Sequence, residues 1–154
     1  MTRLRTAAAL ALLASLGAAC QRAARDPAET VRALYTYHFA HDKGFTPAGV
    51  DERARWLTPD LAAQCRAWFA KPSPPDEVPS IDGDPFTDSQ EYPDTFVVGT
   101  PTLRGDTALV PVAMRWSSGD RRVVTNVLHR VEGAWRVDDL RYEAGESLRA
   151  LLKE

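Results

Sequence analysis

The chain has 154 residues, with 19 basic against 21 acidic side chains and a net charge of −2. That length suits one domain around one core. The mild acidity and the lack of any basic block argue against a nucleic-acid-binding protein and against an electrostatic grip on anionic lipid.

The first elements are those of an export signal. Arg3 and Arg5 carry positive charge, residues 6–16 are uncharged and rich in Ala and Leu, and Gly17, Ala18 and Ala19 are small. Cys20 comes immediately after them. This order is the layout of a secretory leader. Its apolar run is shorter than the roughly 20 residues a membrane span needs. A cysteine just after small residues resembles a bacterial lipobox, although the usual Leu three places before the cysteine is Gly17 here. The reading is a leader over 1–19, a lipid-bearing Cys20 with a tether over 20–27, and a folded domain over 28–154. Several acyl chains on Cys20 hold a protein stably to a bilayer, where one does not. The expected place is the cell envelope, as a membrane-anchored lipoprotein facing the periplasm. Cleavage by a general signal peptidase after Gly17-Ala18-Ala19 is the alternative. With Cys20 lipidated, Cys65 has no partner in the chain and is expected as a small buried group on a helix. A Cys20–Cys65 disulfide is the other option in an oxidising compartment. No Cys/His pattern for zinc is present,.

Asp26-Pro27 opens the folded part as an N-cap and a first-turn proline,. Val31, Leu34, Tyr35 and His38 form a helical apolar stripe, which predicts a helix from Pro27 to Ala40,. Gly44, Pro47 and Gly49 interrupt the next stretch of chain. Thr58-Pro59-Asp60 starts another helix, with Leu61, Cys65, Trp68 and Phe69 on one face, ending at Lys71-Pro72,. The proline-rich residues 71–79 and the Asp-, Gly- and Pro-rich residues 80–94 make an unusually long connection, and loops of that length are usually functional or disordered,.

After Thr95 the period becomes two. Phe96 to Val98 is a short strand. Val110, Val112, Met114 and Trp116 alternate in the next, where Pro111 implies an edge or a bulge,. Ser117-Ser118-Gly119-Asp120 turns the chain,. Val123, Thr125, Val127, His129 and Val131 line one face of the following strand, with Val124 and Leu128 on the other. Glu132-Gly133 turns again, Trp135 to Tyr142 returns, and Ser147 to Leu152 is a short terminal helix. Helices first and an antiparallel meander afterwards predict an α+β fold.

The pieces AETVRALYTYHF, IDGDPFTDSQEY, EGAWRVDDLRY and SLRALL resemble an exported bacterial family known as domain of unknown function 3828. The most specific part is Asp84-Pro85-Phe86 with Gln90-Glu91. The resemblance covers most of residues 28–152. It implies a nuclear-transport-factor-2-like, cystatin-like cone: N-terminal helices packed on a curved antiparallel sheet, with a short C-terminal helix. It implies no particular activity, since that fold hosts isomerases, dehydratases and pure binding modules.

The acidic loop is the leading candidate site. Asp82, Asp84, Asp88 and Glu91, with Phe86 and Gln90, read as a surface for a ligand or partner. The four carboxylates are also a weak calcium candidate, although their spacing is not that of an EF-hand. Their bland role is to cap turns and free backbone N–H groups. His38 and His41 stand one helical turn apart, open to a metal or acid/base role or simply to packing and helix-end charge. Asp138 and Asp139 point to opposite faces unless a bulge intervenes. Asp139 shares a face with Trp135 and Val137, so it is the better general-base candidate, with His129 as partner. Trp56, Trp68, Trp116 and Trp135 are expected mainly in the core. No serine-hydrolase elbow, phosphate-binding glycine loop or HExxH motif is present, and nothing in the sequence requires a cofactor,. The expected function is therefore non-enzymatic: a lipid-anchored envelope protein binding a small ligand, peptide or protein. The alternatives are an acid/base enzyme of isomerase or hydrolase type using Asp139, His129, His38 and His41, and a toxin-inhibiting immunity-type protein.

Overall fold

A computed structural model describes residues 26–41, 44–72 and 79–154. The leader, Cys20 and the tether up to residue 25 lie outside the described residues, as do 42–43 and 73–78. In chain order the elements are α1 (Pro27–Ala40), α2 (Pro47–Arg53), a 3-10 turn (Ala54–Trp56), α3 (Pro59–Phe69), β1 (Thr95–Val98), β2 (Thr102–Arg104), β3 (Thr107–Arg115), β4 (Arg121–Val131), β5 (Ala134–Arg141) and α4 (Leu148–Leu151). The fold class is α+β, as the order of patterns predicts. Among the described residues, no helix is long and apolar enough to cross a membrane.

The first three helices begin in the same way. A short polar side chain caps a free N–H, and a proline occupies the first turn, where its missing N–H costs nothing. Asp26 accepts from Ala28 N at 2.9 Å, Thr46 from Gly49 N at 3.0 Å, and Thr58 from Leu61 N at 3.2 Å. α1 and α3 fall where the sequence places them. α2 is a correction: Gly44, Pro47 and Gly49 read as interruptions, yet Thr46-Pro47 is a helix start and the chain winds from there to Arg53.

The sheet is antiparallel in the order β1-β3-β4-β5, with β2 also pairing with β3. β1 and β2 are thus two pieces of one outer strand, interrupted at residues 99–101. The expectation that Pro111 marks an edge needs correcting, because β3 has neighbours on both sides. The carbonyl of Pro111 accepts from Gly99 N at 2.8 Å. A residue's N–H and C=O point to the same side of a strand, so the absent N–H of Pro111 faces the interruption, where no partner strand runs. The proline is tolerated because the neighbouring strand, not its own, breaks there.

One face of the sheet carries the core. Ala108, Val110, Val112 and Met114 of β3, Val124 and Leu128 of β4, and Trp135, Val137 and Leu140 of β5 pack against Val31, Leu34 and Tyr35 of α1. Leu61, Ala62 and Cys65 of α3 and Leu148 and Leu152 close the other end. Each fully buried Leu contributes about 2 kcal/mol of apolar transfer. Cys65 is buried, as the helix pattern implies, and has no disulfide partner among the described residues. Burial pushes its thiol up to about 12, with Arg149 and Arg66 opposing the shift. Of the tryptophans, Trp135 is core, while Trp56, Trp68 and Trp116 are half-buried at its margin.

Candidate functional site: a clamped acidic loop and its cleft

His38 is on the inner side of α1, and the next element to reach it is α2, through Arg53. The Nε–H of Arg53 donates to His38 Nδ1 at 3.1 Å. A guanidinium has donors only, so Nδ1 is the accepting nitrogen and the proton sits on Nε2. That Nε2 meets Asp84 Oδ2 at 2.6 Å. The three side chains form a chain in which a neutral ring bridges a cation and an anion, a favourable order in a low-dielectric interior. All are buried: Arg53 and His38 are each 1 % exposed and Asp84 is 4 % exposed. Arg53 also donates to the Gly49 carbonyl at 2.8 Å, and the Phe86 ring packs on His38 with centroids 5.0 Å apart.

Asp84 holds its own loop as well. Its Oδ1 accepts from Phe86 N at 3.0 Å and its Oδ2 from the Thr87 hydroxyl at 3.2 Å. Asp84 N donates to the Ser89 carbonyl at 2.9 Å, closing residues 84–89 into a small ring. Gly83 enters that ring at φ +123°, and a Cβ there would lie 2.9 Å from the Ser89 oxygen. Only glycine meets both conditions. From α1, the Tyr35 hydroxyl donates to the Phe86 carbonyl at 2.8 Å. Asp84 and Phe86 are therefore anchors of the loop; Asp84, 4 % exposed, still borders the cleft, whereas Phe86 packs inward on His38.

Outside these anchors the loop borders an open cleft of about 690 Å³. Asp82, Asp88, Gln90 and Glu91 line one side, and Trp116, Asp120, Arg121 and Arg122 from the β3–β4 hairpin line another. Tyr142 and Glu146 lie beyond the end of β5. Gln90 donates to Asp82 at 2.7 Å, Arg122 lies 3.3 Å from Asp88, and the Trp116 indole N–H donates to the Glu91 carbonyl at 3.1 Å. Burial first, then repulsion from Glu146 and Glu143, raises the Asp88 carboxyl above its usual range against the opposing pull of Arg122. The four carboxylates proposed for calcium do not converge. Asp84 faces inward to His38, Asp82 to Gln90 and Asp88 to Arg122. Among the described residues, no group of three potential metal ligands forms.

The enzyme candidates are dispersed. His41 is exposed, donating from Nδ1 to the Tyr37 carbonyl at 2.8 Å and stacked on the Tyr37 ring, away from His38. The Asp139–His129 pairing fails for a specific reason. The β4–β5 register shifts between Val127 and Leu128, so Val127 faces Asp139 while Leu128 faces Val137. Asp138 is the extra residue of a β-bulge. The bulge carries Leu140, not Asp139, onto the inner face with Trp135 and Val137. His129 points outward with 46 % of its side chain exposed, and its carboxylate neighbour is Asp138 at 3.6 Å. Asp138 itself accepts from Thr58 Oγ1 at 2.8 Å and from Arg149 at 2.6 Å. Arg149 also reaches Asp60 at 2.7 Å, tying β5, α3 and α4 together. Burial alone disfavours its charge, yet the hydrogen bonds to Asp60 and Asp138 win and raise its pKa.

Arg53, Tyr142 and the hairpin residues Trp116, Arg121 and Arg122 are the site residues that sequence reasoning misses. Arg53 falls in the overlooked α2. The others belong to a turn and a strand end that meet the loop only through the sheet's curl.

No family model matches this chain, and no curated protein matches it. Among solved structures, it is similar to a chain of the selenomethionine form of the type VI effector–immunity complex Tae3-Tai3 from Ralstonia pickettii. The TM-score is 0.59 at 23% identity, over 77% of this chain and 97% of that one. The native form of the same complex gives a TM-score of 0.56 at 23% identity, over 74% and 92%. At this identity the likeness is one of fold.

Proposed function

We propose that this chain is a lipid-anchored envelope protein that works by binding a protein partner at the cleft bordered by residues 80–91, as an immunity-type inhibitor of a toxic effector. The observation that carries the reading is the combination of an open, charged cleft with a loop locked from behind by Arg53, His38 and Asp84. A surface held rigid before contact loses little entropy on binding. The dispersal of His38, His41, His129 and Asp139 supports binding over catalysis, because an acid/base pair must share hydrogen-bond reach of one substrate. The two solved structures named above are effector–immunity complexes, which favours a protein partner over a small ligand. The export leader and the resemblance to the exported family support the envelope and the Cys20 anchor.

Two experiments test this. A strain lacking the chain, grown in contact with its parent, is expected to be outcompeted and to be rescued by the intact gene. Equal fitness of the two strains removes the immunity reading. For the anchor, Cys20→Ala is expected to release the protein from the membrane fraction while the folded domain keeps its thermal transition. Continued retention of that variant overturns the lipid attachment.

A further inference from the structure

We propose that the outer face of the sheet, turned away from the helices, docks a second protein through a surface that is apolar at its centre and acidic at its rim. A sheet with one face in water alternates apolar with polar residues, whereas a continuous apolar run marks a strand covered on both faces. β3 and β4 are of the second kind. Residues 108–114 of β3 are all apolar, and β4 carries Val123 and Val127 on the side opposite the core residues Val124 and Leu128. Only one side is covered within this chain. The register places Val97, Ala113 and Val123 in one row across the outer face, Pro111 and Thr125 in the next, and Leu109 and Val127 in a third. None of these residues belongs to the core, which lies on the helix side. Val97 is 65 % exposed.

Charge selects the occupant. Arg115 ends the apolar rows on one side, Arg104 and Arg136 end them on the other, and Arg141 stands beside Thr125. None of these four guanidinium groups has an ion-pair partner among the described residues. The neighbouring carboxylates are committed to the chain's own backbone. Asp139 accepts from Leu140 N at 2.9 Å and Arg149 N at 3.0 Å, and Glu143 from Val123 N at 2.9 Å. The face is thus cationic on a chain of net charge −2. A second copy laid against it brings arginine to arginine, a costly juxtaposition. A bilayer surface is met with Trp and Tyr, and these rows carry neither. An acidic protein surface answers both features, because its apolar centre covers the rows and its carboxylates take the guanidinium forks two-pronged. Four strands about 4.8 Å apart and the nine residues of β3 give a footprint of roughly 20 by 30 Å,, close to one partner's share of a stable complex. None of these residues lines the cleft, so the surface is additional to the site proposed there.

The test places a benzophenone-bearing residue at position 97 of the full chain in its own cells, activates it with light and maps the adduct by mass. The expected adduct joins position 97 to another protein, at a segment richer in Asp and Glu than in Lys and Arg. Arg115→Glu combined with Arg141→Glu is expected to lower its yield at least about tenfold. Arg115→Lys combined with Arg141→Lys keeps the charge and is expected to lower it only a few-fold. Both pairs are expected to keep the thermal transition of the parent and to leave cross-linking from position 91, in the cleft, unchanged. An adduct with a second copy, with lipid or with another part of the same chain overturns the proposal. So do the absence of any adduct and a yield that charge reversal does not alter. Equal losses at positions 97 and 91 remove the separate surface and leave the cleft reading in place.

Discussion

Two charged knots hold this molecule together, and they differ chiefly in how much water reaches them. The first, Arg53–His38–Asp84, joins α2, α1 and the acidic loop at 1–4 % exposure. The second, Arg149 with Asp138 and Asp60, joins α4, β5 and α3 near the surface, where the Asp60 side chain is 70 % exposed. Both use one arginine to bind segments far apart in sequence. The buried knot must be complete or it is a liability, since a charge stranded in the interior has no solvent to fall back on. The surface knot loses little when broken, because water replaces the lost partner. The contrast also divides the acidic loop itself. Asp84 belongs to the fold, and its neighbours Asp82, Asp88 and Glu91 are left for the outside.

The largest expected effect breaks the first knot. Asp84→Ala removes the carboxylate that meets His38, releases Phe86 N and Thr87, and is expected to lower unfolding free energy by about 3 kcal/mol in a denaturant titration,. A loss under about 1 kcal/mol would mean that water reaches Arg53 and that the two knots are alike. Next comes Arg149→Ala, expected to cost about 1 kcal/mol and to lower protection from hydrogen exchange mainly in α4. The smallest is Asp88→Asn, expected to change stability at neutral pH by no more than about 0.5 kcal/mol. Asparagine tolerates the left-handed backbone at this position, where φ is 53°,. Its informative readout is the pH profile. The folded state binds the Asp88 proton more tightly than the unfolded chain does, so ionising it costs stability,. That cost is absent below the ordinary value of 3.8 and complete once pH passes the raised folded value. Asp88→Asn is expected to flatten the fall in stability over that window. An unchanged profile would show that Arg122 fully offsets burial and repulsion.

Much of the scaffold was legible because its signals are local. Asp26-Pro27 and Thr58-Pro59 mark helix starts that need no tertiary help, and the alternation through Val110, Val112 and Met114 fixes the inner face of β3. Thr46-Pro47 carries the same signal, but Gly44 and Gly49 on either side of it mask the helix. With α2 overlooked, Arg53 had no position from which to meet His38. The β5 site failed for a different reason. A bulge is one residue of extra chain, set by how β5 pairs with β4 and by Thr58 and Arg149 seizing Asp138. Strict alternation reads straight through it and assigns Asp139 to the wrong face. In the acidic loop the sequence cannot separate Asp84 from Asp82, because only the fold brings His38 to one of them.

The interruption between β1 and β2 has a consequence for how copies of the chain meet one another at high concentration. An uninterrupted outer strand would offer a long row of unmated N–H and C=O groups, a ready template on which another copy could zip up. Here that row is cut into runs of four and three residues, with Gly99 and Pro101 between them. Neither piece is long enough to seed a stack, so this margin of the sheet is a poor place to start a fibril.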